Sequence, residues 1–206
     1  MSFKENPITL VLFLLIAGIS LLVIRSDNLK TAFALNPFSV LHRRKFYQLL
    51  TNIFVHYDLT HLIFNLLTFY FFAPQLEETI GSVAFAFLFL TSGVVSSFPS
   101  LIKYRNNPFY FSLGASGAVS GVVFSYILLY PMSRLYIFLI PIGIPAPLFA
   151  LLFLLYCIYA SKKETTINHE AHFWGAIWGL IYTILLFPES VSIFIWWMGK
   201  IFGLIG

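Results

Sequence analysis

The chain has 206 residues, of which 59% are apolar and 10% are charged, and its formal net charge is +4. Soluble domains carry about a quarter charged residues, so this composition excludes an ordinary soluble protein. The basic residues are dispersed, which favours contact with anionic lipid headgroups and excludes a nucleic-acid surface. The length fits one domain, and the lone cysteine, Cys157, excludes an intrachain disulfide.

Apolar stretches predict an all-α polytopic membrane protein with six transmembrane helices in a single domain, 1–206. A bilayer core takes about 20 apolar residues per helix, and backbone groups in lipid must be hydrogen-bonded internally. The runs lack the alternation of a membrane barrel. The predicted spans are 7–24, 59–76, 79–101, 113–132, 146–160 and 171–187.

The longest connection, 25–58, mixes basic and aromatic residues, which predicts a long interfacial loop between helices 1 and 2. Pro141, Pro145 and Pro147 argue against one straight helix over 135–160. The apolar tail, 190–205, predicts either an interfacial helix or an additional span.

A serine between glycines, Gly114-Ala115-Ser116-Gly117, opens the fourth stretch. Gly117 and Gly121 form a small-residue pair that allows close helix approach, so helix packing alone explains an isolated Ser116. His172 is followed by Gly175 and Gly179 on its own helix face. If the two glycine faces pack together, a histidine base comes within reach of a serine hydroxyl, and a positioned base is what activates serine.

Further polar residues gather near the same end of the predicted bundle. His61 and Asn65 share a helix face, which indicates either a helix–helix hydrogen bond or donors for an oxyanion. The backbone N–H of Ser116 would add to such an oxyanion site. His56 and Ser120 are candidate supporting residues, with interfacial solvation and helix packing as their alternatives.

Two rival sites fit less well. His169-Glu170-Ala171-His172 is one residue short of the zinc motif His-Glu-x-x-His, so the glutamate geometry of that motif is lost and no metal is predicted. A third, acidic member of a Ser-His-Asp triad is also missing, because the acids lie in loops or near span ends. A Ser116–His172 dyad fits better.

These residues resemble the rhomboid family of intramembrane serine proteases over roughly 45–187. The motifs that carry the resemblance are Tyr47-Gln48-Leu49-Leu50-Thr51 ahead of His56, His61-x-x-x-Asn65, Ala73-Pro74-x-x-Glu77-x-x-x-Gly81, Gly114-Ala115-Ser116-Gly117 and Ala171-His172-x-x-Gly175-x-x-x-Gly179. The resemblance implies a six-helix rhomboid-like bundle.

By this resemblance Ser116 is the nucleophile, His172 is the general base and acid, and His61, Asn65 and the Ser116 N–H bind the oxyanion. Gly114, Gly117, Ser120, Gly175 and His56 would support the site. The implied substrates are single-pass membrane proteins cut in or near their transmembrane segment, without metal or cofactor. The alternative is a non-proteolytic rhomboid-like protein that binds or escorts transmembrane helices. A transporter would place ionisable residues near mid-membrane, and this chain has none there.

Two departures from the family pattern matter. Gln48 stands where an arginine is common, which predicts a different anchoring of the first long loop. Ser120 stands where some members carry an aromatic residue against the base, so His172 needs another orienting contact.

The resemblance implies the plasma membrane of a prokaryote, with the site facing the extracytoplasmic side. Strict alternation of six spans places the connections 25–58, 102–112 and 161–170 on that side. The positive-inside rule predicts the reverse orientation, because nine of the twelve Lys and Arg residues lie in or beside those three connections. They are Arg25, Lys30, Arg43, Arg44, Lys45, Lys103, Arg105, Lys162 and Lys163.

Overall fold

The computed structural model describes residues 5–136, 142–163 and 167–201, and these parts of the chain are mostly helical. The helices are α1 (Pro7–Val23), α2 (Asp27–Phe33), α3 (Pro37–Arg43), α4 (Gln48–Thr51), α5 (Leu59–Ile80), α6 (Ser82–Lys103), α7 (Ser116–Leu129), α8 (Ala146–Ala160), α9 (His169–Leu186) and α10 (Glu189–Ile201). A 3₁₀ turn covers Asn52–Phe54, and two short strands are β1 (Arg134–Tyr136) and β2 (Gly143–Pro145).

Helix α7 lies at the centre, packed against α5, α6 and α9. Almost every residue from Gly117 to Leu128 is buried, whichever face of the helix it occupies. A helix that is apolar all round belongs in the middle of a bundle. The core around it is built from large aromatic side chains, among them Phe69, Phe85, Phe89 and Phe124.

Glycine faces set the distance between α7 and α9. A Cβ on Gly175 would overlap the carbonyl oxygen of Gly117, and a Cβ on Gly179 would overlap that of Gly121. The two backbones therefore touch, as the small-residue spacing predicts. This contact brings the first turns of α7 and α9 together.

The turn between α5 and α6 is a single residue, Gly81, with φ +83°. Helix α5 therefore runs on to Ile80, beyond the predicted end at 76. Glu77 lies in its last turn and accepts backbone hydrogen bonds from Ile8 (3.1 Å) and Thr9 (2.7 Å), and one from Ser82 Oγ (2.6 Å). A carboxylate at a helix N-terminus is favourable, so Glu77 ties α1 to the α5–α6 turn.

The connection 25–58 is not an irregular loop, because it folds into α2, α3, α4 and the 3₁₀ turn. Ser26 and Asn36 cap α2 and α3 by accepting from Leu29 N and Ser39 N, which favours helix over loop. Gln48 anchors the segment, since its Oε1 accepts from Asn36 N (3.2 Å) and its Nε2 donates to Ala32 O (3.1 Å). A buried neutral amide thus replaces the arginine of the family pattern.

By length and composition, two helices qualify as membrane spans, α5 and α6, each of 22 residues. The pair α9 and α10 passes the test together but is bent by 112°. Among the described residues, α1, α7 and α8 are apolar but have 17, 14 and 15 residues, short of the ~20 that a bilayer core takes. These criteria support two or three spans, where the sequence predicts six.

The other boundaries differ for local reasons. The predicted span 113–132 shortens to α7 because Gly114, at φ +129°, is outside helical geometry. Residues 134–136 and 143–145 form an antiparallel ladder before α8, which confirms that no straight helix covers 135–160; Pro141 lies outside the described residues. The tail forms α10 as far as residue 201, and the predicted remainder, 202–205, also lies outside them.

Candidate functional site

The segment that carries Ser116 is held by hydrogen bonds that it donates to residues before α5. The N–H of Gly114 donates to Asn52 O (2.9 Å), and the N–H of Ala115 donates to His56 Nε2 (3.1 Å). Ser116 is then the first residue of α7. Its own N–H belongs to the first turn of this helix, where the backbone N–H groups favour negative charge.

His56 is fully buried, and both of its ring nitrogens have partners. Ser20 Oγ donates to Phe54 O (2.9 Å), so the contact of 2.8 Å between Ser20 Oγ and His56 Nδ1 uses the imidazole proton. Nε2 is then the acceptor for Ala115, and the ring is neutral. Burial, and secondarily nearby His61, lower the pKa of His56 to about 3, against an opposing effect of Asp58. His56 supports the serine segment and is not a proton carrier near neutral pH.

His61 lies in the first turn of α5, capped by Asp58 Oδ1, which accepts from His61 N (2.7 Å). Its imidazole lies directly against Gly114, because a Cβ on that glycine would be 2.6 Å from His61 Cε1 and 2.9 Å from Nε2. Position 114 therefore requires glycine for two reasons, the positive φ of the backbone and the close approach of the His61 ring. The predicted oxyanion donor thus contacts the residue two positions before the predicted nucleophile.

Asn65 lies one turn beyond His61 and is buried. Its Nδ2 donates to His61 O (2.9 Å) within the same helix. A primary amide has two N–H donors, so this bond leaves the second one for a ligand. The structure brings Asn65 to the same helix face as His61, as the spacing of four predicts.

His172 lies in the first turn of α9, which begins after Asn168. Asn168 Oδ1 caps the helix by accepting from Ala171 N (3.0 Å). The imidazole is nearly parallel to the Phe153 ring of α8, with centroids 6.4 Å apart. Phe153 thus supplies the aromatic contact that Ser120 does not provide.

Ser116 and His172 lie on adjoining first turns because Gly117 touches Gly175. In the part of the chain that the structure describes, no hydrogen bond joins Ser116 Oγ to the His172 ring. Catalytic hydrogen bonds are often long without substrate. Ser120 is buried on α7 and Glu170 pairs with Lys103 (2.9 Å), and in the described ranges neither residue forms a hydrogen bond with His172.

Several residues near the candidate site are not predicted from the sequence, because they belong to helices and turns that carry none of the predicted motifs. Phe153 of α8, Ser20 of α1 and Asn52 of the 3₁₀ turn are separated from Ser116 by tens of residues. Asn168 carried a usable signal, since Asn before an apolar helical run is a typical N-cap. The described side chains that offer a metal ligand set are Cys157, His169 and His172.

A comparison with protein families matches a model described as Rhomboid domain to residues 43–189. "Putative rhomboid protease YdcA" of Bacillus subtilis (strain 168) is 28% identical over 144 residues, covering 68% of this chain and 67% of that protein. "Presenilin-associated rhomboid-like protein, mitochondrial" of Homo sapiens is 29% identical over 141 residues, covering 65% and 36%. "RHOMBOID-like protein 1" of Arabidopsis thaliana is 31% identical over 120 residues, covering 58% and 27%. The chain thus spans about two thirds of the bacterial relative, about a third of the human one and about a quarter of the plant one.

Proposed function

The chain belongs to the rhomboid family, and from that premise we propose that it is an intramembrane serine endopeptidase acting through Ser116 and His172. The observation that supports this most is the backbone contact between Gly117 and Gly175, which holds the two first turns together. The proposed substrates are single-pass membrane proteins, cut in or near their transmembrane segment. A neutral imidazole beside a serine hydroxyl is the pairing that acyl transfer requires.

The proposed reaction follows from the roles of these groups. Ser116 Oγ attacks the scissile carbonyl carbon while His172 takes the hydroxyl proton. His172 then gives that proton to the departing amine as the peptide C–N bond breaks. A water molecule, deprotonated by His172, attacks the acyl-enzyme ester and releases the new carboxylate and Ser116.

Three donors are proposed to stabilise the tetrahedral intermediate: the His61 ring, the Asn65 amide and the backbone N–H of Ser116. The contact of His61 with Gly114 and the free second N–H of Asn65 support this role. Loss of one such donor typically costs about 3–4 kcal/mol of transition-state stabilisation. His61→Ala and Asn65→Ala should therefore lower kcat by about two orders of magnitude.

We further propose a six-helix membrane topology in which α1, α5, α6, α7, α8 and α9 cross or enter the bilayer. The family and the apolar helices support an integral membrane protein. Short α7 is compatible with this topology because its non-helical entrance, 112–115, is half-buried to fully buried in protein, where irregular backbone is tolerated at membrane depth. Large apolar side chains on the outside of α8, such as Leu151 and Leu155, are more than half exposed and suit a lipid surface.

The decisive test is cleavage of a single-pass substrate by purified protein in detergent or proteoliposomes. Ser116→Ala and His172→Ala should abolish cleavage and retain the folded helical signal. Ser97→Ala is the matched control, since Ser97 is a buried serine that donates only to Gly93 O of its own helix. Undiminished cleavage by Ser116→Ala would refute the proposal.

Labelling by a fluorophosphonate separates this proposal from a protein that only binds or escorts helices. A protease should be labelled at Ser116, and labelling should depend on His172. A helix-binding protein should capture the same substrates without being labelled.

A further inference from the structure

Beside the proposed dyad, three metal-ligating side chains converge from two helices. Cys157 of α8 and His169 and His172 of α9 each offer one ligand atom, and these atoms all lie within 4.8 Å of one another. We propose that Cys157, His169 and His172 bind a thiophilic divalent cation such as Zn²⁺, and that this ion withdraws His172 from Ser116. The binding site stands on its own geometry, whereas the inhibition rests on the proposed function.

The donor set matches the chemistry of zinc. One thiolate and two imidazoles are ligands that Zn²⁺ prefers, and three protein ligands with one open position is a recurrent arrangement. The histidines are three residues apart, so they share a helix face. Metal–ligand bonds of about 2.0–2.3 Å place the ligand atoms of a tetrahedral site roughly 3.3–3.8 Å apart. Binding therefore requires side-chain rotations that move the ligand atoms about 1 Å closer together.

An unsatisfied atom at this place supports a ligand independently. His169 is 4% exposed, and its Nδ1 is buried without a hydrogen-bond partner in the described structure. Buried polar atoms are normally paired, and an orphan requires an explanation such as an absent ion. Cys157 is also buried, at 1% exposed, and is a free thiol.

Aromatic rings of α8 lie against both histidine ligands. Tyr156 meets His169 edge-on with centroids 5.3 Å apart, and Phe153 lies parallel to His172. An apolar shell of this kind restricts the rotation of metal ligands and limits water around them. The two imidazoles themselves lie edge to face at 6.0 Å between centroids.

An open groove of about 600 Å³ reaches one of the three ligands, Cys157. Cys157 is part of its lining, together with apolar residues of α6 and α9. Glu170, paired with Lys103, also lines this groove. Lys103 and Lys162 line the groove as well, so access for a cation depends on the open space of the groove and not on its charge.

Metal binding and base catalysis exclude each other at His172. A neutral imidazole has one lone pair on its two nitrogens. If the nitrogen with this lone pair binds the ion, the other nitrogen carries the proton and can only donate a hydrogen bond. His172 then cannot accept the Ser116 proton, whichever nitrogen ligates.

Binding is tested on the purified full chain in detergent, with Zn²⁺ for affinity and Co²⁺ for spectroscopy. We expect one equivalent to bind, and Co²⁺ to show a thiolate charge-transfer band. Cys157→Ala and His169→Gln should each weaken binding at least tenfold, and the former should also abolish the band. His42→Ala is the matched control, because His42 is an exposed histidine on α3, outside the cluster. Equal affinity in all four proteins, or Co²⁺ binding without the thiolate band, would overturn the site.

Inhibition is tested by fluorophosphonate labelling of Ser116. In metal-free protein, labelling measures the proposed function alone, and its absence would refute that function while the binding titration still decides the metal site. Saturating Zn²⁺ should slow labelling of the unmodified chain more than tenfold, and a chelator should restore it. Cys157→Ala should label at the ordinary rate with or without Zn²⁺. Equal slowing of the unmodified chain and Cys157→Ala would overturn the inhibitory role.

Discussion

Burial and hydrogen bonding fix the protonation state of His56, which supports the candidate site as a neutral imidazole. Its Nε2 must accept from Ala115, so an imidazolium would face an N–H donor. The pKa of His56 is lowered to about 3 in the folded protein, chiefly by burial, from an ordinary value of 6.5. The unfolded chain therefore takes up this proton first as the pH falls.

We expect the stability that neutral His56 provides to be complete above pH 6.5 and to be lost progressively between pH 6.5 and about 3. The slope is at most about 1.4 kcal/mol per pH unit. His56→Gln keeps an acceptor and a donor but does not titrate, so its unfolding temperature should fall less steeply between pH 6.5 and 5. Thermal unfolding of both proteins in detergent measures the difference. Parallel curves would show that His56 is not the group responsible.

Phe153 is the residue whose role depends most on orientation. It lies parallel to the His172 imidazole, at 6.4 Å between centroids, and aromatic pairs contribute about 0.5–1.5 kcal/mol beyond their buried area. Phe153→Ala should lower kcat up to about tenfold with little change in KM, and Phe153→Tyr should restore it. Steady-state cleavage of one substrate gives both constants. A rise in KM at unchanged kcat would assign Phe153 to substrate binding instead.

At the scale of elements, the proposed dyad depends on the close packing of α7 against α9. Backbone atoms cannot move aside as a flexible side chain can, so a methyl group on Gly175 must push the two helices apart. Gly175→Ala should lower the free energy of unfolding by about 1–3 kcal/mol and eliminate cleavage. Gly18→Ala is the matched control, because a Cβ there meets no atom within 4 Å, and alanine favours helix. Unfolding and cleavage assays of both variants test this, and equal effects would contradict it.

The elements also show what the sequence predicts and what it does not. Apolar runs and the Gly117–Gly121 and Gly175–Gly179 spacings predict the helices and their closest contact, because these depend on local pattern. The short helices within 25–58 follow from capping residues such as Asn36, whose side chain also donates to Pro108 O and Tyr110 O far along the chain. Contacts of this range, like Phe153 on His172, depend on tertiary packing and leave no local periodicity.

For the whole molecule, the three connections predicted to share one side do meet. Leu35 pairs with Ser112 through backbone hydrogen bonds, which joins the first connection to the second. Asn168 Nδ2 donates to Ser112 Oγ (3.1 Å), which joins the second to the third. Ser116 follows Ser112 by four residues, so the candidate site lies close to the face that these connections form.

Two arguments predict opposite orientations of that face in the membrane. Most of the Lys and Arg residues belong to it, which favours the cytosolic side, whereas the family resemblance favours the extracytoplasmic side. We expect the latter from the family resemblance, since the hydrogen bonds of Gln48, Asn36 and Asn168 that anchor this face are neutral and are the same on either side of the membrane. Lys163→Cys in a Cys157→Ala chain should then react with an impermeant maleimide in sealed cells. Protection until the cells are opened would place the face in the cytosol, where positive loops are retained.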